Sequence, residues 1–333
     1  MKDGKLSDTA YIRSVLPAVK RINAGRKTEC MRTAVVTGNE YGTAYLAVLR
    51  AVNAVAAVPA AVTSVAVTIS IPRELPEGIT LYSGTAPDIA ENAVKEKTGE
   101  IEAALKGKNI TLSDLTVEIT ENPLITVTAT AVGNAGACQI PDLSCTQNIV
   151  MAGFTGACGS AMLSINGKER LMTRYTADFL AASDALLRDT DVSESMAAVA
   201  AQENYKIWIK PVSDGGIFGA LWSICEELGC GCEAYIKSIP IKQATVEVCE
   251  FFDINPYMLR GDGAFIYVTD REPDSIACGH VIGQLKHGSD RVVINGDTRS
   301  FLTPVREDTY FSTDIVKCNR AEMTPSECKN KNI

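Results

Sequence analysis

Residues Pro211–Arg260 read PVSDGGIFGALWSICEELGCGCEAYIKSIPIKQATVEVCEFFDINPYMLR. Ser213-Asp214-Gly215-Gly216 is a cap followed by a tight turn, and Ile217, Leu221, Ile224 and Leu228 then recur at helical spacing. Gly229 and Gly231 are expected to end that helix. Residues Ala234 to Ile239 have strand chemistry, and Val246, Cys249 and Phe252 mark a second helix. The stretch is thus a glycine pair at a helix N-terminus leading into a helix, strand, helix unit. Glycine lets backbone approach a ligand closely, and the free N–H groups of a helix start favour an anion. A turn packed against a neighbouring strand would use the same glycines, so both readings stay open here.

The chain around it has 333 residues, 46% hydrophobic and 22% charged, enough for one large or two medium cores. Net charge is −8, and no basic block interleaved with aromatics occurs, which argues against a nucleic-acid partner. The most apolar stretch, Tyr45 to Ile71, is broken by Arg50, Asn53, Pro59, Thr63 and Ser64. A buried helix followed by a buried strand is expected there, with no membrane span. The opening MKDGKLSDTAY carries charge and no apolar run, so no secretory signal is expected. Eleven cysteines are scattered without a compact framework, and reduced thiols in a cytoplasmic protein are expected.

Upstream, the patterns predict a helix over residues 6–20, a strand over 33–37 and a helix over 43–58 ended near Pro59. A strand over 63–71, an amphipathic helix over 86–106 and a strand over 116–130 broken near Pro123 follow. Residues 134–147, rich in turn formers, read as a linker. Ile149-Val150-Met151 is a strand entering a three-glycine turn, Gly153, Gly156 and Gly159, with a helix from Ala161. Further on come a helix over 193–204, a strand over 205–209 with Trp208 inward, and strands over 264–268, 280–285 and 291–295. The last two are expected to pair as a hairpin around Gly288-Ser289-Asp290. Residues 311–333 are polar and expected to be loosely held.

The segment from Asp214 to Val268, with its glycine pair, its Ile239-Pro240 strand end and its Asn255-Pro256 turn, resembles the C-terminal domain of the aminoimidazole ribonucleotide (AIR) synthase superfamily. That superfamily includes hydrogenase maturation factors, thiamine-monophosphate kinases and selenophosphate synthases, and the hydrogenase-maturation-factor-like branch is the most similar. AVLRAVNAVAAVPAAVTSVAVTISIPRELPE and PLITVTATAVG resemble the superfamily's N-terminal domain, so the likeness covers nearly the whole chain. It implies a two-domain α+β fold. An N-terminal domain over 1–135 pairs its sheet with a second copy to give a homodimer, and a C-terminal α/β domain spans 148–310. Relatives usually carry a helix where this chain has only the connection Asp270 to Gly279.

The resemblance also implies ATP in the N-terminal domain, with Mg²⁺ held by carboxylates. A hard divalent cation needs oxygen ligands, so those positions are not freely replaced. The sequence departs from the pattern at four places. Asn53-Ala54 stands where the family has Asn-Asp, and Thr37-Gly38-Asn39 stands where it has Thr-Asp-Pro. Ser113-Asp114-Leu115-Thr116-Val117 lacks the family's glycines, His and Glu, and the early acidic loop is shortened to residues 23–33 without an Asp. Asp114, Glu118 and Glu40 are the nearby acids that could substitute, and the expectation is that they are solvated surface charges. The glycine loops at Gly153, Gly156 and Gly159 and at Asp214, Gly215 and Gly216 are kept and are the candidate phosphate or small-anion site.

Cys230-Gly231-Cys232 is too short for a zinc arm, no second pair stands at metal spacing, and His280 and His287 are the two histidines. No metal is expected, and the thiols read as small packing residues. Hydrogenase maturation factors of the family end in a carrier cysteine, whereas Pro325-Ser326-Glu327-Cys328 is followed here by five more residues. No Ser-His-Asp or Cys-His arrangement suggests itself. Two functions remain open. One is a family-type ATP-dependent phosphoryl-transfer enzyme of hydrogenase assembly with impaired nucleotide chemistry. The other is a non-catalytic relative serving as regulatory subunit to an assembly protein or a paralogue.

Overall fold

The computed structural model describes residues 30–58, 60–73, 89–135, 147–202, 207–276, 278–320, 322–323 and 327. The expected first helix and Cys328 lie outside them.

The N-terminal part runs β1 (Cys30–Thr37), α1 (Thr43–Ala56), β2 (Ala60–Pro72), α2 (Ile89–Leu105), β3 (Thr111–Thr120) and β4 (Thr126–Ala135). The strands form one sheet in the order β1-β4-β2-β3, antiparallel except for the β2/β3 pair, which α2 connects as a parallel crossover. Alternation decides its faces. Val65, Val67, Ile69 and Ile71 of β2 and Val127, Ala129 and Ala131 of β4 are buried beneath the two helices. Each such branched side chain contributes about 1.5–3 kcal/mol of apolar transfer. The stretch expected to be one strand broken at Pro123 is two strands. The Asn122 side chain accepts from the Leu124 N–H at 3.1 Å, closing a turn that sends β4 between β1 and β2.

The C-terminal part runs β5 (Asn148–Ala152), α3 (Ala157–Asn166), α4 (Lys168–Leu171), α5 (Ala177–Ala185), α6 (Ser193–Gln202), β6 (Trp208–Pro211), α7 (Gly216–Leu228), β7 (Gly231–Tyr235), α8 (Gln243–Phe251), β8 (Phe265–Thr269), β9 (His280–Lys286), β10 (Arg291–Asn295), β11 (Thr298–Phe301) and α9 (Asp314–Asn319). Its sheet has the order β11-β10-β7-β9-β5-β8-β6. Between β8 and β9 stands only a 3-10 turn, Pro273–Ser275, as expected from the short connection.

Four expectations are corrected. β9 and β10 do not pair. β7 enters between them, antiparallel to β9 and parallel to β10, and the hairpin is instead β10/β11. Gly231 opens β7 rather than ending α7. A Cβ there would stand 2.2 Å from the Asp290 carbonyl oxygen, so only glycine admits the chain beside that turn. The segment after Tyr310 is not loosely held through residue 320. Ile315 and Val316 of α9 are buried, and Arg320 donates to the Thr37 carbonyl at 3.0 Å. Apolar residues spaced for one helix turn anchor a segment whose composition looks polar. Cys318 on this helix is disulfide-bonded, against the expectation of reduced thiols throughout, and the other described cysteines are free.

The two parts share a core. Leu46, Leu49 and Val52 of α1 belong to one buried cluster with Cys158, Met162 and Leu163 of α3, Leu259 and Tyr310.

Candidate functional site at the domain junction

α1 carries one charged side chain, Arg50, and the fold aims it at the C-terminal part. Its Nε and Nη2 donate to Asp262 at 2.7 and 2.8 Å, and its Nη1 and Nη2 donate to Asp214 at 2.9 and 2.7 Å. Both carboxylates are gripped by one planar fork, the arrangement guanidinium is suited to. The Arg50 side chain is 11% exposed, Asp262 5% and Asp214 44%. Burial alone would lower the Arg50 pKa, but Asp214 and Asp262 more than offset it and hold it well above its usual value. Arg260 adds a second cation. It lies 3.4 Å from Asp214 and stacks over the Tyr310 and Phe311 rings at 4.2 and 4.8 Å. Three residues of α1 further on, Asn53 donates to Thr190 O at 2.9 Å and accepts from Val192 N at 3.2 Å. Asn53 thus ties the two parts together.

The six expected anion-site residues come together, and they enclose protein. A Cβ at Gly153 would stand 2.4 Å from Gly263 O, at Gly156 2.9 Å from Pro256 O, at Gly159 2.5 Å from Leu259 Cγ, and at Gly216 2.6 Å from the carbonyls of Tyr257 and Leu259. Their space is filled by residues 256–264. The Gly159 N–H donates to the Arg260 carbonyl at 3.1 Å and the Gly216 N–H to Ser213 O at 3.0 Å. Gly215, at φ +82°, precedes α7, and its N–H donates to Asp308 Oδ2 at 2.7 Å. Asp308 Oδ1 accepts from Tyr310 N at 2.8 Å. A side-chain carboxylate from the closing segment thus sits where a helix start would greet an anion. Burial pushes the Asp308 carboxyl up to about 6, and the Asp214 charge acts the same way against the lowering by Arg260 and the two amides.

α1 begins the same way. Gly42 precedes it without a side-chain cap, and Glu100 of α2 accepts from the amides of Ala44 and Tyr45 at 2.7 and 3.2 Å. Lys97, fully buried, neutralises Glu100 and Glu96 at 2.8 Å each.

The three spare acids separate. Asp114 and Glu118 are exposed on the outer sheet face, bonded to Thr116 and Ser70. Glu40 is not a surface charge. It is 4% exposed, its carboxyl is raised by burial, and Oε1 has no hydrogen-bond partner among the described residues. A Cβ at Gly38 would fall 1.8 Å from Glu40 Oε2, so this carboxylate fills the space where a side chain at 38 would begin. Among the described residues no three His, Cys, Asp or Glu side chains converge as metal ligands. Among the described residues, the amides at the starts of α1 and α7 are held by the Glu100 and Asp308 carboxylates. A shallow groove lined by Lys237, Ser238, Pro273 and His280 shares no residue with the network.

With this geometry in place, solved structures can be compared. The chain superposes on hydrogenase maturation protein HypE in complex with ATP with a TM-score of 0.63, at 14% identity, over 92% of this chain and 97% of that one. The HypE–HypF complex gives 0.62 at 14% identity over 87% and 99%. Thiamine monophosphate kinase from Aquifex aeolicus gives 0.60 at 13% identity over 86% and 97%. The chain has the AIR synthase-like fold. No protein-family model matches it, and no curated protein matches it in sequence. No described helix of this AIR synthase-like protein is long and apolar enough to cross a membrane. Arg50, Asp262, Arg260 and Asp308 were not anticipated as parts of the site, and Glu40 was expected to be a solvated surface charge. The one available signal was Arg50, a lone charge inside an apolar helix.

Proposed function

We propose that this AIR synthase-like protein descends from ATP-dependent phosphoryl-transfer enzymes of the hydrogenase-maturation type, has impaired nucleotide chemistry, and acts as a partner or regulatory subunit. The observation that carries this reading is that two glycine-headed helix starts are filled from within, α1 by Glu100 and α7 by Asp308. A phosphate arriving at either would meet a carboxylate already holding the amides. Ala54 and Gly38 stand where the resemblance expects acids, and loss of Mg²⁺ ligands removes most of the electrostatic stabilisation phosphoryl transfer depends on. In this reading Gly153, Gly156, Gly159, Gly215 and Gly216 serve the packing of residues 256–264, and Asp214 serves the Arg50 clamp. Likeness to the HypE–HypF complex supports a hydrogenase-assembly protein as partner, with a paralogue as the alternative, and the compartment in this reading is the cytoplasm. The outer face of the N-terminal sheet, with Met31 and Val35 exposed beside the Thr33–Thr130 pair, supports a homodimer through that face. Light scattering on the purified protein checks it, and a monomer overturns it.

A second reading rests on Glu40. Its carboxylate occupies the space of the missing residue-38 side chain and would be a relocated ligand in an active enzyme. Calorimetric titration with ATP and Mg²⁺ separates the two. The first reading expects no saturable heat at millimolar nucleotide. Saturable, Mg²⁺-dependent binding that Glu40→Gln abolishes would replace it with the second.

A further inference from the structure

Three free thiols meet at the C-terminal end of α7, one helix length, about 20 Å, from the ion network at its start. Cys225 lies in the last turns of α7 and is fully buried. Gly229, at φ +67°, ends the helix, and the Cys230 N–H then donates to the Cys225 carbonyl at 3.1 Å. Cys232 follows in β7, two residues on and therefore on the same side as Cys230. The Cys225 thiol is a neighbour of both and bears on their acidity. Cys225 and Cys232 are sealed in the core, whereas Cys230 is partly exposed. Arg291, opposite Cys232 in the β10/β7 register, is held over the Trp222 ring at 4.0 Å and ion-paired to Glu226 at 2.7 Å. The neighbouring Cys225 thiol and the Arg291 charge, against the opposing effect of burial, hold the Cys230 thiol below its usual range. Cys278, also partly exposed, has no such partners, and burial raises it.

We propose that Cys230 is a peroxide-reactive thiol that closes a reversible disulfide with Cys225. The Cys230 thiolate attacks the O–O bond of a hydroperoxide. An S–O bond forms, the leaving oxygen departs as hydroxide or alkoxide and takes a proton, and Cys230 becomes a sulfenic acid. Cys225 sulfur then attacks that sulfur, the S–S bond forms, and hydroxide leaves with the Cys225 proton as water. Two electrons pass from the two thiols to the peroxide. Cys225 is the partner because the backbone bond between the two residues brings their Cα atoms within disulfide reach. Cys230 and Cys232, two residues apart in extended chain, stand about 6.6 Å apart, near the upper limit.

The test uses the full-length protein, titrated with hydrogen peroxide and mapped by mass spectrometry without reductant. The expected product is a tryptic peptide ending at Lys237 that is lighter by two hydrogens and restored by dithiothreitol. Cleavage at Glu226 or Glu227 separates Cys225 from Cys230 and Cys232 and identifies the pair. Cys230 should react at least about tenfold faster than Cys278 in the same molecule. Cys225→Ser should let a dimedone-reactive sulfenic acid accumulate at Cys230. Equal rates at Cys230 and Cys278 would overturn the proposal, and a Cys230–Cys232 bond would overturn the assignment of the partner. The wild-type comparison stands even where a cysteine variant fails to fold.

Discussion

Replacing Arg50 with Met keeps an apolar stem in α1 and deletes the fork that joins the two parts of the molecule. Four charge-assisted hydrogen bonds of 2.7–2.9 Å are lost. The cost is not shared evenly. Asp214 is 44% exposed and keeps Arg260 at 3.4 Å, so its share is about 0–1 kcal/mol. Asp262 is 5% exposed and both of its oxygens lose their donor. Removing one partner of a buried pair costs about 3–5 kcal/mol, because the other charge stays buried and uncompensated. Against a total stability of about 5–15 kcal/mol, Arg50→Met should bring the protein close to its unfolding threshold at pH 7.5. Urea unfolding followed by circular dichroism measures this as a fall in the midpoint at unchanged slope. Arg50→Met combined with Asp262→Leu, which removes both charges, should regain most of the loss. A single variant within about 1 kcal/mol of wild type, or a double variant no better than the single, would refute the reasoning.

Asp308 gives a pH dependence of definite sign. Burial raises its carboxyl from 3.8 to about 6 in the native state, so the native protein binds this proton more tightly than the unfolded chain. That contribution is complete below about pH 4 and is lost as pH rises through 6, by at most about 3 kcal/mol. In Asp308→Asn the slope of stability against pH between 4 and 6 should flatten, read from melts across that range. Asn53→Ala should cost about 2–4 kcal/mol, since Thr190 O and Val192 N are both left buried without their partner. Gly216→Ala and Gly229→Ala should differ although both sit at positive φ. A Cβ at 216 meets two carbonyls at 2.6 Å, whereas at 229 it meets nothing within 4 Å. About 1–2 kcal/mol is expected at Gly229 and clearly more at Gly216, by denaturant titration.

Periodicity made the elements legible. The apolar residues of α1, the alternation of β2 and the run Ile217, Leu221, Ile224, Leu228 of α7 each identify an element, because burial of one face is a local pattern of period 3.6 or 2. The glycines at 215, 216 and 229 likewise announced positive φ, which few other residues tolerate. The sequence alone therefore determined an α+β chain with glycine-headed helices. What filled the space those features leave was decided by tertiary structure. Whether β9 meets β10 or admits β7 depends on a strand nearly fifty residues upstream, and no local signal marks that choice. Whether a helix start greets a ligand or a carboxylate depends on Asp308, 93 residues from Gly215, and on Glu100, 56 residues from Ala44. Glu40 looks like an ordinary surface charge in the sequence, and Arg50 stands out only as a lone charge in an apolar helix. Only the packing of α1 against α3 and the closing segment makes them buried, and burial is what turns a charge from a solvated residue into one that must have a partner.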